Sequence, residues 1–438
     1  MIDKIVQNHL LKGEYRKAII ILNEIISKGT QNFEIFFYLG KIYFELNDYK
    51  KSIFYFKKCN QIKPKMPKIL YNLALVFQGL GKINEAKKIY HKLILMNPNN
   101  VRSYYGLFNL GIKNINSKYK DKLKILVNDE RVSIYEKSLI NFIFSKLEKD
   151  RKNFKEEIKY LNLSHQQSFN SNHQFNIQSQ FYYKKIIRSH YNKINYEGSI
   201  QNNNFNKIKP LFIIGLPRSG STLVESLISQ GSENIYSFGE LHAINMSIFD
   251  TIGPKIYSEK FSYEKFKFTI NREKFQNSLL ERYGNSQNKI FVDKSLENFF
   301  NIDIILNFFP EAKFLHTYRN FKDSIIGIYQ RMMPDLSWSH SIENILSYAN
   351  DYKNIINYFR KKYPNLILDI NLEDLTKNKE VESKKIFDFC NINWNRDVLN
   401  FNKKNKLFTK TNSFLQIRDK IDNDNINKYE PYYYLIDN

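Results

Sequence analysis

Leu211-Phe212-Ile213-Ile214-Gly215-Leu216-Pro217-Arg218-Ser219-Gly220-Ser221-Thr222 runs from an apolar stretch into a Gly- and Ser-bearing turn, and an amphipathic stretch follows over Leu223–Ser229. The opening four residues follow Lys209-Pro210, and a short apolar run with β-branched members, bounded by turn residues, predicts a buried parallel strand. Strand, turn and helix in that order make a phosphate cradle: backbone N–H groups at the helix start point at the anion, and the helix dipole favours negative charge. The loop nearly matches G-x-x-x-x-G-K-[ST], but Ser221 stands at the lysine position. A nucleoside triphosphatase uses that lysine to reach β- and γ-phosphates. Arg218, the turn glycine Gly220 and the hydroxyls of Ser219, Ser221 and Thr222 suit one 5′-phosphate instead. A nucleotide kinase with a variant loop is the competing reading, and ATP hydrolysis with Mg²⁺ discriminates it.

The alternation continues downstream. Phe238-Gly239-Glu240-Leu241 follows about twenty residues after the loop, with His242 as a rival to Glu240 for proton transfer. Ile290-Phe291-Val292-Asp293 reads as a strand running into Lys294-Ser295-Leu296-Glu297-Asn298-Phe299 and an amphipathic helix to Phe309, stopped by Pro310. Lys313–Tyr318 is a further strand ending at the cation Arg319, with Ser324, Gly327 and Arg331 beyond it. Leu366–Ile370 predicts another strand, followed by Asn371-Leu372-Glu373-Asp374-Leu375 and a helix carrying Phe387, Phe389 and Cys390. Thr411-Asn412-Ser413-Phe414-Leu415-Gln416-Ile417-Arg418 comes last.

Taken in this order, these segments resemble the sulfotransferase family, tyrosylprotein sulfotransferases in particular, over about residues 209–431. The resemblance implies a sulfuryl donor, 3′-phosphoadenosine 5′-phosphosulfate, and an acceptor hydroxyl, with protein tyrosine among the candidates. It makes Glu240 the general base, a role a carboxylate beside the donor can fill. Lys294 is set by the leaving group, where a fixed cation offsets growing charge, and Asn298 orients its loop. Arg319 and Arg331 hold the 3′-phosphate by the guanidinium fork, and Ser413 and Arg418 close over the donor. Three positions depart from the family pattern. Gly327 stands where a serine is expected, and Ser324, one helical turn earlier, is the candidate substitute. Leu372 replaces a tyrosine, and Lys428-Tyr429 stands where a basic residue and tryptophan are common. The acceptor pocket is expected from variable loops such as Ala243–Asn285. No metal is required by this chemistry. A non-catalytic repeat adaptor with a degenerate sulfotransferase domain is a further alternative.

The first half is a repeat array. Ala18, Ser52 and Ala86 are spaced by 34 residues, as are Ile5, Leu39, Leu73 and Leu107; Pro64 and Pro98 repeat at the same step. Small residues at one register let paired helices approach, large apolar residues at another fill the groove, and the prolines stop the second helix of each unit. The turns GEY, NDY and GKI lie between paired helices. This pattern resembles the tetratricopeptide repeat family over about residues 1–110. Residues 138–167 read as a further helical hairpin turning near Asp150–Asn153, another helix follows near 175–192, and the Asn-rich stretch Asn195–Asn206 reads as a linker. The expected architecture is an N-terminal α-solenoid (1–112), degenerate repeats and linker (113–200), and a P-loop-like α/β domain with a mostly parallel sheet (201–438). A concave face on the repeats is a candidate seat for a peptide or protein acceptor.

The chain has 438 residues and a net charge of +23, which favours anionic partners. The lysines are scattered and no nucleic-acid motif appears, so nucleic acid is not an expected partner. Two cysteines, no signal-peptide pattern at the N-terminus and no run of 18 apolar residues make the cytoplasm the expected location.

Overall fold

A computed structural model describes residues 2–29, 32–111, 117–200, 209–231, 235–258, 261–284, 290–400 and 429–437. Its first part is a run of paired helices: Ile2–Leu11 with Tyr15–Ser27, Phe33–Glu45 with Tyr49–Ile62, and Pro67–Gly79 with Ile83–Met96. The turns inside these pairs place Gly13, Asn47 and Gly81 at φ of 65°, 59° and 71°, one left-handed residue every 34 positions. Only glycine and asparagine take that conformation readily, which is why each turn opens on one of them. The small register is fully buried at Ala18, Ser52 and Ala86, and the Ser52 hydroxyl donates to the Gly40 carbonyl at 2.8 Å. Leu39, Leu73 and Leu107 are buried, but Ile5 is 53% exposed.

Helices Val101–Asn109, Ser117–Asn128, Ile134–Asp150 and Phe154–Ser171 continue the array, and the last two form the hairpin expected over 138–167. His173–Phe181 then passes through a π-helical turn, Tyr182–Ile187, into Arg188–His190. The start of the expected linker is not irregular. Asn195–Glu197 is a strand, β1, which pairs in parallel with β4, Thr269–Asn271. Backbone pairing, which composition does not report, overrides its polar character.

The remaining strands form one sheet: β2 (Leu211–Gly215), β3 (Ile235–Gly239), β5 (Ile290–Asp293), β6 (Lys313–Tyr318) and β7 (Ile367–Asn371), all parallel, in spatial order β3-β5-β2-β6-β7. Every residue of β2 is buried. Leu211 and Ile213 join a core with helices Ser221–Gly231 and Lys379–Cys390, whereas Phe212 and Ile214 join another with helices Ala243–Ile256, Ile302–Phe308, Phe321–Tyr329 and Ile342–Lys362. Side chains alternate faces along a strand, so a continuous apolar run means helices on both sides. Ala243–Asn285, expected as loops, holds two helices, Ala243–Ile256 and Arg272–Tyr283, around β4. The second core also takes in Phe142, Ile158, Leu161, Tyr182, Ile186 and Ile187, so the helical array and the sheet share one interior. Among the described residues, no helix is long and apolar enough to cross a membrane.

Candidate active site

The chain leaves β2 toward β3 on one side, and leaves its neighbour β6 toward β7 on the other. Between the carboxyl ends of two such strands a crevice opens, and the 215–222 loop lies there. Gly215 has φ of 146°, and a Cβ on it would strike the Thr317 carbonyl oxygen on β6; this position accepts only glycine. Ser219 Oγ lies 2.7 Å from Thr317 Oγ1, which in turn donates to the Ile214 carbonyl at 3.3 Å. The Ser219 hydroxyl therefore ties the loop to β6. Gly220 packs under the Leu372 side chain, leaving no room for a Cβ. Ser221 begins helix Ser221–Gly231, whose first N–H groups lack intrahelical acceptors and face the crevice end of the strands.

A cavity of about 800 Å³ adjoins this helix start. Gly215, Arg218, Ser221, Thr222, Glu240 and Arg331 all line it. Ser219, Arg319 and Ser324 line a separate cavity of about 350 Å³. Ser324 donates to the Asn320 carbonyl at 3.1 Å, and Arg319 pairs with Asp323 at 2.5 Å. Ser413 and Arg418 lie outside the described residues.

Glu240 follows directly on β3 and is 39% exposed; Lys294 follows directly on β5 and is 1% exposed. Adjacent parallel strands bring them together: Lys294 Nζ donates to Glu240 Oε1 at 2.5 Å, and Lys294 N–H donates to the Gly239 carbonyl at 2.9 Å. Below them lies Glu225, from the first turns of helix Ser221–Gly231, 3.7 Å from Lys294 Nζ and bonded by the Ser237 hydroxyl at 2.5 Å. Burial pushes the Glu225 carboxyl up, against the pull of Lys294. Burial also opposes the Lys294 charge, but Glu240 and Glu225 outweigh it and hold the ammonium above its ordinary value. The Lys294 loop is fixed by buried Asp293, which accepts from the Tyr283 hydroxyl at 2.6 Å and the Ser295 N–H at 2.8 Å; Asn298 Nδ2 lies 3.5 Å from it.

His242, the rival base, pairs with Glu297 at 2.5 Å, and its N–H is held by the Ser295 hydroxyl at 2.8 Å. Burial works against its charge, but Glu297 prevails and raises it to about 9. A histidine already protonated at neutral pH does not accept a proton there.

The Gly327 departure has a steric counterpart. A Cβ there would stand 3.3 Å from the Tyr429 hydroxyl and 3.5 Å from the Arg218 Cβ. The Arg319 guanidinium lies 5.6 Å from the centre of the Tyr429 ring. Burial, with Arg331 and Arg319 nearby and Tyr429 opposing, pushes Arg218 down to about 10. Glu225, Glu297 and the placement of Tyr429 were not legible as site features. Glu225 left a trace as a charged residue inside an apolar helix run, and Tyr429 as the residue at the family's tryptophan position.

The larger cavity is also lined by Tyr182, Tyr183, Phe249, Met332 and Trp338, and by Leu11 and Lys12 from the first repeat. Among the described residues, no cluster of His, Cys, Asp and Glu is arranged to hold a metal ion.

Residues 210–396 match the model of the sulfotransferase family, and residues 12–93 match that of subunit 3 of the anaphase-promoting complex, or cyclosome. The chain is 23% identical over 424 residues to an uncharacterized protein of Aquifex aeolicus (strain VF5), covering 91% of this chain and 53% of that protein. It thus spans about half the length of that curated relative. Among solved structures it is similar to the sulfotransferase domain of the Synechococcus PCC 7002 olefin synthase, at 21% identity and a TM-score of 0.36, covering 53% of this chain and 91% of that one. It is also similar to sulfotransferase STF1 from Mycobacterium tuberculosis H37Rv, at 12% identity and a TM-score of 0.34, covering 70% and 98%. The chain therefore carries a domain of the sulfotransferase family behind an N-terminal array of helical repeats of the tetratricopeptide kind.

Proposed function

We propose that the protein is a sulfotransferase that moves a sulfuryl group from 3′-phosphoadenosine 5′-phosphosulfate to an acceptor hydroxyl. One observation carries the reading: Glu240, held by the buried Lys294, opens on the same cavity as Arg218 and the start of helix Ser221–Gly231. An acid–base group and an anion cradle thus face one space, as a group transfer between an anionic donor and a hydroxyl needs.

In this mechanism the N–H groups of Gly220, Ser221 and Thr222 and the Arg218 guanidinium hold the 5′-phosphosulfate. Arg331 and Arg319 hold the 3′-phosphate, with Ser324, Ser413 and Arg418 as further donor contacts and Ser219 securing the loop. The acceptor proton passes to Glu240. The acceptor oxygen bonds to sulfur, and the bond between sulfur and the bridging oxygen breaks. Adenosine 3′,5′-bisphosphate leaves with the charge that Arg218, Lys294 and the helix N-terminus stabilise. The aromatic lining suits an acceptor with an aryl group, tyrosine in a polypeptide being the natural case, and Leu11 and Lys12 bring the repeats within reach of it. We place the domain boundaries at residues 112 and 200 and the protein in the cytoplasm.

Adenosine 3′,5′-bisphosphate should raise the melting temperature, and ATP should not. Glu240→Gln should keep that rise while sulfuryl transfer to a tyrosyl peptide falls by about a hundredfold or more. Unchanged turnover in this variant removes Glu240 from the mechanism. Binding without turnover in the unaltered protein, on any acceptor, points to a non-catalytic adaptor.

A further inference from the structure

Three charges meet at the carboxyl ends of β3 and β5, and the proposed transfer employs two of them. Lys294 Nζ lies 2.5 Å from Glu240 Oε1 and 3.7 Å from Glu225 Oε2. Glu240 lines the cavity, whereas Lys294 and Glu225, with side chains 1% and 5% exposed, stand behind it. Glu225 belongs to helix Ser221–Gly231, whose start opens on the same cavity. Its other oxygen, Oε1, accepts from the Ser237 hydroxyl at 2.5 Å, and Ser237 Oγ in turn accepts from the Gly239 N–H at 3.2 Å. Gly239 immediately precedes Glu240, and its carbonyl accepts from the Lys294 N–H at 2.9 Å. The Glu225 carboxylate is therefore tied both to the ammonium and to the backbone that aims Glu240.

The charge balance of the transfer needs a second carboxylate here. Burial disfavours the Glu225 charge, and Lys294 and the Ser237 hydroxyl oppose that. With both carboxylates ionised, the trio carries one net negative charge. When the acceptor O–H bond breaks and an O–H bond forms on Glu240, the trio becomes neutral, with the ammonium still paired to Glu225. Without the Glu225 charge, the same step turns a neutral pair into an uncompensated buried cation, which a low-dielectric interior strongly disfavours. The ammonium would then hold Glu240 in its ionised form and make it a weaker base.

We propose that Glu225 is a positioning residue for the transfer: it stays ionised and keeps Lys294 paired while Glu240 takes up the acceptor proton. This rests on the donor reading above and deepens it by assigning the same site a second carboxylate. Glu225 meets neither substrate and acts through Lys294 and the end of β3.

Steady-state sulfuryl transfer to a tyrosyl peptide by the full chain tests it. Glu225→Gln keeps the shape, and an acceptor for the Ser237 hydroxyl, and removes the charge. Its kcat should fall about tenfold, the equivalent of one pKa unit in the base. KM for both substrates should not change, and adenosine 3′,5′-bisphosphate should still raise the melting temperature. Glu225→Asp keeps the charge and should restore most of the rate. In a Glu240→Gln background no proton reaches that side chain, so adding Glu225→Gln should lower the residual rate by less than about twofold. A full additional loss in that background, or a Glu225→Gln variant as fast as the unaltered protein, overturns the proposal and leaves the donor reading standing. No transfer by the unaltered protein, to the peptide or to a small phenol, removes the reading and this role together. If Glu225→Gln does not fold, Ser237→Ala decides, because it loosens the carboxylate without removing it. Its kcat should fall about fivefold, the size of one hydrogen bond, and an unchanged kcat overturns the proposal.

Discussion

Lys294 shows how one buried charge organises this site. It is 1% exposed and lies between two carboxylates, one buried and one open to the cleft. A charge so placed is tolerated because its partners are there, and removing it leaves Glu225 buried without its cation. Lys294→Ala should lower the free energy of unfolding by about 3 to 5 kcal/mol, as read from urea denaturation. A midpoint that does not move would mean that Glu225 sits neutral beneath it. His242 gives a pH signature. Its folded value of about 9 lies above the ordinary 6.5, so its pairing with Glu297 stabilises fully below pH 6.5 and the contribution fades as pH rises through 9. The side chain is 45% exposed, so solvent screening keeps the effect small. The melting temperature of the unaltered protein minus that of His242→Gln should fall between pH 6.5 and 9.5; a flat difference removes the ion pair.

At the scale of elements, the turns of the repeats bear on the strands of the candidate site. Asn47, the left-handed residue of the second turn, donates from Nδ2 to the Phe238 carbonyl at 2.9 Å, two residues before Glu240. The neighbouring Leu46 carbonyl accepts from the Tyr236 hydroxyl at 3.2 Å, and Arg282 donates to the Lys12 carbonyl at 2.5 Å in the first turn. The turn thus anchors the end of β3 that aims Glu240. Asn47→Gly keeps the backbone conformation and removes the bond. Stability should fall by about 1 kcal/mol, and kcat should fall more than KM changes, because the base is misaimed and the donor pocket is intact. A change in KM alone would make Asn47 a contact for substrate and not a support for β3.

At the scale of the whole molecule, the helical array is not an appendage. Tyr182, Ile186 and Ile187 are buried in the same core as β2 and β6, and His165 of helix Phe154–Ser171 reaches the sheet domain. Its Nε2–H donates to the Tyr329 carbonyl at 2.7 Å, and its Nδ1 lies 3.3 Å from His340 Nδ1. Burial pushes these histidines down, to about 3 and about 4. The unfolded chain takes up protons near pH 6.5 and the folded one does not, so stability is lost as pH falls below 6.5. The loss is about 1.4 kcal/mol per pH unit for each histidine. Urea denaturation at pH 7.5 and pH 5 should show this difference in the unaltered protein and a smaller one in His340→Gln. An equal difference in both would place the acid sensitivity elsewhere.

Features carried by neighbours in the chain were legible from residue order. The 34-residue register reports helix pairs because each pair packs mainly on the next, and 211–222 reports a strand, a turn and a helix start because the three are contiguous. Gly215, Asn47 and Gly81 could be read as turn residues because positive φ is a local demand. Ile5 shares the register and is still 53% exposed, because burial depends on what packs over a position and not on its spacing, and the pairing of Asn195–Glu197 with β4 is not written in its composition. The meeting of Lys294 with Glu225 and Glu240, of His242 with Glu297, and of Tyr429 with Arg218 and Arg319 spans long stretches of chain. Such contacts depend on strand order, which no local pattern encodes. The sequence by itself determined the repeats, the parallel strands and the glycine-bearing loop between β2 and its helix, whose physics acts over a few residues. Tertiary structure alone decided which carboxylate faces the cleft and which lies buried beneath Lys294, because burial and charge proximity are properties of the packed whole.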